Sequence, residues 1–256
     1  MSRALGIRDW DAATYHRVSD IQFGWGLEAL ERLPLAGDET VLDAGCGSGR
    51  LSGVLEQRLP RGRLIAVDAS PSMVEQARAT VGPSTRVEVG DLSELDLGEP
   101  VDAVFSNAVF HWIGDHGRLF TRLAAALRPG GRLIAQCGGE GNLDVFHAKL
   151  DAVAHASPFV AAFAGWEGPW NFASAEATSE RLLAAGFEQV ECWLEPRPVS
   201  PAEPEAFLAT VCLGHHLERL PDDQRPRFVE RVARATAPLE LDYVRLNIDA
   251  RRRSAG

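Results

Sequence analysis

No C-x-x-C pair occurs in this chain, and its four cysteines, Cys46, Cys137, Cys192 and Cys212, stand far apart. That spacing offers neither a zinc knuckle nor a thioredoxin-like redox site; free thiols in a reducing cytoplasm are expected. No stretch approaches the ~20 consecutive apolar residues that cross a bilayer. The first residues, Met1 to Asp9, lack the apolar run of a secretion signal. A cytoplasmic protein without a membrane partner is therefore expected. Positive charge is also short: 26 Lys and Arg stand against 36 Asp and Glu, a net charge of -10. An acidic surface repels phosphate backbones, which argues against nucleic acid as a partner. The local exception, Arg251-Arg252-Arg253, reads as a solvated end. Two nucleotide signatures are missing as well. There is no G-x-x-x-x-G-K-[ST], and Arg50 stands where G-x-G-x-x-G would need its third glycine. His215 and His216 are adjacent and point about 100° apart on a helix, a poor chelating pair, so no metal is assigned. There are no internal repeats and no low-complexity segments.

What is present has the balance of an ordinary globular enzyme. The chain has 256 residues, 45% hydrophobic and 24% charged, enough for one large α/β domain with a lid. From residue 40 short apolar runs alternate with helical spacing. Strands are expected at 40–43, 63–68, 86–91, 101–106 and 132–137. Between them Leu51, Val54 and Leu55 mark one helix face, and Leu119, Phe120, Leu123 and Leu127 mark another. Ser70 and Pro71 read as the cap and first turn of a helix. This rhythm predicts a doubly wound, mostly parallel sheet. After the fifth strand it loosens. Helices are expected at 143–164, 179–185, 201–220 and 222–236, with strands at 188–194 and 239–250.

The turn Asp43-Ala44-Gly45-Cys46-Gly47-Ser48-Gly49 hands the first strand to the first helix. Glycine permits so tight a turn and removes the Cβ atoms that would keep a ligand from the backbone. The helix behind it offers unpaired N–H groups. Asp68 ends the second strand, 19 residues beyond Gly49, where a carboxylate suits a pair of ribose hydroxyls. Asp91 ends the third strand, where it suits an adenine amino group, and Asn107 follows the fourth. In open α/β sheets ligands sit at these carboxyl ends. Acids on successive strand ends, without a third glycine, point to an adenosyl ligand that carries no pyrophosphate.

The runs Val41-Leu-Asp-Ala-Gly-Cys-Gly-Ser-Gly-Arg50, Val67-Asp68-Ala69-Ser70, Gly90-Asp91-Leu92 and Leu127-Arg128-Pro129-Gly130-Gly131 resemble the motifs of class I S-adenosylmethionine-dependent methyltransferases. Within that superfamily, Trp10-Asp-Ala-Ala-Thr-Tyr15 and Ser106-Asn-Ala-Val-Phe-His-Trp112 are similar to the trans-aconitate methyltransferase group of small-molecule carboxyl O-methyltransferases. That group often has Gln where His111 stands. The resemblance implies a seven-stranded Rossmann-like sheet with a reversed last strand, and S-adenosyl-L-methionine as cofactor. It implies that Asp43, Gly45, Cys46 and Gly47 form the loop under its methionine part and that Asp68 binds the ribose. Ala69 and Met73 would flank the adenine, with Asp91 and Leu92 on its other side, and Asn107 at the mouth. Tyr15, with Gln22 nearby, would close over the methionine carboxylate.

The acceptor side is expected at His111, Trp112 and Trp170; Trp166, Trp170 and Phe172 are read together, either as an apolar wall of the pocket or as a small core of the lid. His111 is read either as a general base or as a donor to a carboxylate. The [DNS]-P-P-[FYW] of nucleobase amine methyltransferases is missing after strand four. These readings predict a single methyltransferase domain over 1–256. Its core covers about 38–138, 176–198 and 238–252, and its lid segments about 1–33, 140–175 and 200–237. The partner is a small-molecule acceptor, the assembly a monomer or homodimer. Two alternatives stay open: an NAD(P)-dependent oxidoreductase, and a methyltransferase-like binding protein without transfer activity.

Overall fold

The computed structural model describes residues 20–254. The expectations on Trp10 and Tyr15 lie outside them. Seven strands form one sheet in the order β3-β2-β1-β4-β5-β7-β6. They are β1 Thr40–Ala44, β2 Arg63–Asp68, β3 Arg86–Val89, β4 Val101–Asn107, β5 Leu127–Gly138, β6 Phe187–Pro196 and β7 Val244–Arg252. β1 runs parallel to β2 and β4, β2 to β3, and β4 to β5. β7 is reversed. Gly130, early in β5, lies beside Ser254, whereas Gly139, just past its end, lies against Leu246.

All five residues of β1 are buried, as a strand covered on both faces requires. Successive side chains serve opposite layers. Leu42, Ala44, Val104, Leu133 and Ala135 meet Leu119, Phe120 and Leu123 of the helix His116–Ala126. Val41, Ala103, Phe105 and Ile134 meet Ala29 and Leu30 of α1 (Asp20–Glu31) and Leu55 of α2 (Arg50–Gln57). α3 (Pro71–Thr80) follows β2, with Ser70 as its cap: the Met73 N–H donates to Ser70 Oγ. The helix His116–Ala126 is α4, capped by Asp115.

The chain divides into two compact units. The first holds the residues up to Glu140, Trp170–Glu195 and those from Leu246 onward. The second holds Gly141–Pro169 and Pro196–Arg245. Its helices are α5 (Asp144–Ala154), α6 (Val160–Phe163), α8 (Pro204–Phe207), α9 (Gly214–Glu218) and α10 (Arg225–Thr236); α7 (Ala175–Ala184) belongs to the first unit. The second unit has a core of its own. Phe228 meets Phe159 at 5.0 Å and Phe163 at 5.4 Å between ring centroids, and Trp166 stands edge-on to His216 at 4.6 Å. Burial pushes the His216 ring down to about 3, so it sits there as a neutral aromatic.

Four expectations need correction. The helix over 143–164 is two helices, because Pro158 disfavours a helical Ser157. The helix over 201–220 is a succession of short pieces, α8, a wider π-type stretch Leu208–Cys212, and α9. The last strand starts at Val244, not at 239; ahead of it, Leu241 makes an isolated bridge with Val199. The basic end is not simply solvated. Arg251 and Arg252 belong to β7. Arg252 donates to the Ala124 carbonyl and Arg253 to that of Leu183, each in the last turn of a helix, where cations are favoured. All four cysteines are free. Among the described residues no helix is long and apolar enough to cross a membrane.

Phe120 is fully buried and meets Phe110 edge-on at 5.9 Å. Phe120→Ala should lower unfolding stability by about 3–5 kcal/mol in urea titrations; a loss under about 1 kcal/mol would contradict this packing.

Candidate active site

β1 ends at Ala44, and the chain enters α2 through Gly45, Gly47 and Gly49, all with positive φ (84°, 53° and 83°). Two of them also allow close approaches. A Cβ on Gly45 would stand 2.2 Å from Val109 Cγ2, in the loop after β4, and one on Gly49 would stand 2.9 Å from the Ala77 Cα in α3. The Gly45 and Cys46 N–H groups both donate to the Val67 carbonyl, tying the loop to the end of β2 (2.8 and 3.0 Å). Arg50, in the place of the missing glycine, pairs with Asp20 and lies over the Phe23 ring.

Asp68 is gripped from two sides. Its Oδ2 accepts the Gly47 N–H at 2.8 Å and its Oδ1 the Ser70 N–H at 2.9 Å. Each oxygen keeps lone-pair capacity for a further donor. Burial raises its pKa, against the pull of the Ser70, Gly47 and Ala69 backbone N–H groups. Asp43 lies behind the loop, 2% exposed, its Oδ2 accepting the Ser52 hydroxyl at 2.6 Å. Burial, reinforced by the charge of Asp68 and opposed by Ser52, pushes Asp43 up to about 7. Asp43 therefore faces the α2 side of the loop, and Ser52, which no motif marks, is its partner. Cys46 is buried too.

Asp91 is exposed and caps a short 3-10 turn, Leu92–Glu94, through the Ser93 N–H. Leu92 and Met73 carry buried side chains, and Leu92 belongs to the core beneath the sheet edge. Ala69 is half-buried between Asp68 and Ser70. Asn107, at the end of β4, donates through Nδ2 to the Gln22 carbonyl of α1 at 3.1 Å. Asn107 Oδ1 and Gln22 Oε1 are buried without hydrogen-bond partners. Unpaired buried acceptors are costly in a folded protein unless a ligand donor meets them.

Beyond Asn107 the loop is held rigidly. Ala108 has φ 61°, and its N–H donates to the Gln136 carbonyl at 2.7 Å. Phe110–Trp112 forms a 3-10 turn whose Phe110 carbonyl meets His116 Nε2 at 2.8 Å. His111 is buried: its ring stacks on Phe172 (5.8 Å, 28°) and leans on Trp112 (4.8 Å). Trp112 in turn meets Trp170 at 6.4 Å. Asn171 fastens this box. Its N–H donates to the His111 carbonyl, and its side chain donates to the Ile113 and Gly114 carbonyls. The structure thus brings His111, Trp112, Trp170 and Phe172 together and corrects the grouping of Trp166, which packs in the second unit on His216. Asn171 escaped the sequence reading because its partners lie about 60 positions earlier.

Residues 41–131 match a family model described as a methyltransferase domain. Over 187 residues the chain is 34% identical to trans-aconitate 2-methyltransferase of Methylobacterium nodulans, covering 73% of this chain and 67% of that one. Over 223 residues it is 31% identical to trans-aconitate 2-methyltransferase of Azoarcus sp., covering 86% of each. The chain belongs to the trans-aconitate methyltransferase group of class I S-adenosylmethionine-dependent methyltransferases. Among solved structures, phosphoethanolamine N-methyltransferase 2 of Haemonchus contortus superposes with a TM-score of 0.61 at 20% identity, over 95% of this chain and 57% of that one. That likeness speaks for the fold alone. The methyltransferase's cofactor is S-adenosylmethionine, and the strand-end features suit it. Acceptors without partners at Gln22 and Asn107, and acids at Asp43 and Asp68, match a ligand rich in donors and positive charge. The dinucleotide oxidoreductase and the binding-only protein are set aside.

Asp43 holds a proton more readily in the folded protein than its ordinary value of 3.8 would allow. The stability this confers is full below that value and is lost as pH rises through about 7. In the cofactor-free methyltransferase, thermal melts should show Asp43→Asn gaining on the wild type between about pH 5 and about pH 8, by on the order of a few kcal/mol. A difference that stays constant over that range would contradict the assignment.

Proposed function

We propose that this methyltransferase esterifies a carboxylate of a small polycarboxylic acid of the trans-aconitate kind. The observation that carries the reading is the 31% identity, over 86% of either chain, to a protein named for methylating trans-aconitate. The aromatic box after β4 supports it. An ionised carboxylate is already a nucleophile, so the chain has to align it and keep water out rather than take a proton from it. The buried ring of His111 and the half-buried rings of Trp112, Trp170 and Phe172 suit that task.

Bound S-adenosylmethionine supplies a methyl carbon activated by a positively charged sulfur. On this reading Asp68 accepts from the ribose hydroxyls with the lone pairs that Gly47 and Ser70 leave over. Asp91 accepts from the adenine amino group, and Ala69, Met73 and Leu92 form the apolar flank of the base. Gly45, Cys46 and Gly47 present backbone to the methionine part. Gln22 Oε1 and Asn107 Oδ1 accept from its ammonium, a donor that meets both unpaired oxygens. Tyr15 closes over the carboxylate of the same part. Asp43 holds the loop from behind, through Ser52, and adds negative potential. Both compact units are read as one methyltransferase domain, the second holding accessory helices. The enzyme acts in the cytoplasm, as a monomer or homodimer, on an acceptor that is neither nucleic acid nor lipid.

With S-adenosylmethionine and trans-aconitate the wild type should yield a base-labile methyl ester by mass spectrometry. Methylation of hydroxyl or amine acceptors alone would contradict the proposal. Asp68→Ala should weaken S-adenosylhomocysteine binding in calorimetry by about 10- to 100-fold or more, the worth of hydrogen bonds to a charged group. An unchanged Kd would remove Asp68 from the ribose site.

A further inference from the structure

We propose that Gly26 is a positioning residue for the methyl donor: with no side chain there, α1 lies against Asn107, and its place sets the affinity for the amino-acid part of S-adenosylmethionine. The inference rests on the reading above that Gln22 and Asn107 receive the ammonium, and it names what brings the two together.

α1 carries glycine at two of its 12 positions, Gly24 and Gly26. Glycine is a weak helix former, so each costs helix stability relative to alanine. The fold makes use of only one. A Cβ on Gly24 would have nothing within 4 Å. Gly26 is buried, and a Cβ on it would stand 2.4 Å from Leu51 Cδ1 of α2, 2.8 Å from Asn107 Nδ2 and 3.1 Å from Asn107 Cγ. These approaches are closer than van der Waals contact allows, so a side chain there forces a neighbour or the helix to move.

The two neighbours differ in freedom. Leu51 Cδ1 ends a flexible side chain and can turn to another rotamer. Asn107 is short, and its amide is tied: Nδ2 donates to the Gln22 carbonyl at 3.1 Å. Gln22 and Gly26 are four residues apart and share a face of α1. The hydrogen bond and the gap at Gly26 therefore belong to one docking surface. Asn107 is fixed from its own strand as well. β4 runs parallel to β1 with Phe105 opposite Asp43, so Asn107 stands level with Gly45 of the glycine loop. One residue earlier, the Ser106 hydroxyl donates to the Ala44 carbonyl at 2.6 Å.

With its amide nitrogen committed to α1, Asn107 keeps Oδ1 without a hydrogen-bond partner, and so does Gln22 its Oε1, on a residue only 7% exposed. A side chain at position 26 breaks the Asn107–Gln22 bond or lifts α1 from β4. Either way the two acceptors part, and one ammonium no longer meets both. The ends of β2 and β3, where Asp68 and Asp91 stand, are not touched by the change.

Calorimetry with two ligands tests the proposal. S-adenosylhomocysteine carries the amino-acid part; 5′-methylthioadenosine keeps the adenosine and the thioether without it. Gly26→Ala should weaken S-adenosylhomocysteine binding by about 10- to 100-fold, the worth of hydrogen bonds to a charged group. It should leave the Kd of 5′-methylthioadenosine within about twofold. Gly24→Ala, the same change in the same helix, should leave both Kd values within about twofold. In an Asn107→Ala background the amide that the new Cβ meets is gone, and Gly26→Ala should cost far less than it does alone. Wild-type affinity of Gly26→Ala for S-adenosylhomocysteine overturns the inference. So does equal weakening of both ligands, or a full additive loss on top of Asn107→Ala. Should Gly26→Ala fail to fold, hydrogen exchange of the wild type decides. S-adenosylhomocysteine should slow exchange in α1 and 5′-methylthioadenosine should not; equal protection by both overturns the inference. A wild type that binds S-adenosylhomocysteine no more tightly than 5′-methylthioadenosine overturns the ammonium reading itself. A wild type that discriminates between them, beside an unaffected Gly26→Ala, overturns this inference alone.

Discussion

The two backbone hydrogen bonds that converge on Asp68 are the constraint on which the rest of the site depends. Gly47 donates from the loop after β1 and Ser70 from the cap of α3, so one carboxylate joins the ends of two strands and the start of two helices. The glycines make this possible. Gly45 and Gly49 let the loop lie against Val109 and Ala77, and the left-handed turn at Gly47 aims its N–H at the acid. Burial works against the charge on Asp68, and the N–H groups offset that cost. Asp43, buried just ahead of the glycine loop, adds a second acid whose ionisation is disfavoured by burial and by Asp68. Two acids whose charge is poorly compensated make a natural place for a cation-bearing, donor-rich ligand.

The site then separates into two chemistries along the sheet. At β1, β2 and β3 it is polar: acids, backbone N–H groups and small residues. At β4 and β5 it becomes aromatic. His111 belongs to that box, and its Nδ1 accepts the Gly138 N–H. Asn107 stands between the halves, its amide shared with α1 and its oxygen unpaired. On the proposed reading, the first half holds the methyl donor and the second aligns an already ionised nucleophile.

Much of the first unit was legible in the sequence because its signals are local. Apolar runs ending in Asp or Asn place β1, β2 and β4, and Ser70-Pro71 marks the start of α3. The reversed β7 followed from the family resemblance, not from spacing, and its start was misplaced by several residues. The second unit was misread where local and tertiary forces compete. A helical apolar rhythm runs on through Pro158 and through the π-type stretch near Leu208, and only the folded chain shows where it breaks. At the site, the glycines, Asp68 and Asn107 were legible from position on strand ends. That Asp43 turns inward to Ser52, that Leu92 and Met73 are buried, and that Trp166 parts company with Trp170 were not. Those facts depend on which neighbour each side chain meets across the fold. The arginines at the end of the chain misled for the same reason: their partners are carbonyls at the ends of α4 and α7, far away in sequence.

The central claim is that Asp68, held by Gly47 and Ser70, anchors the cofactor. A crystal structure with S-adenosylhomocysteine tests it most directly. The account predicts both ribose hydroxyls within about 3.2 Å of the Asp68 carboxylate, the Gly47 and Ser70 bonds retained, and the ammonium against Gln22 and Asn107. A ribose placed away from Asp68, or a ligand that binds only after the Gly47–Asp68 bond is broken, would contradict it.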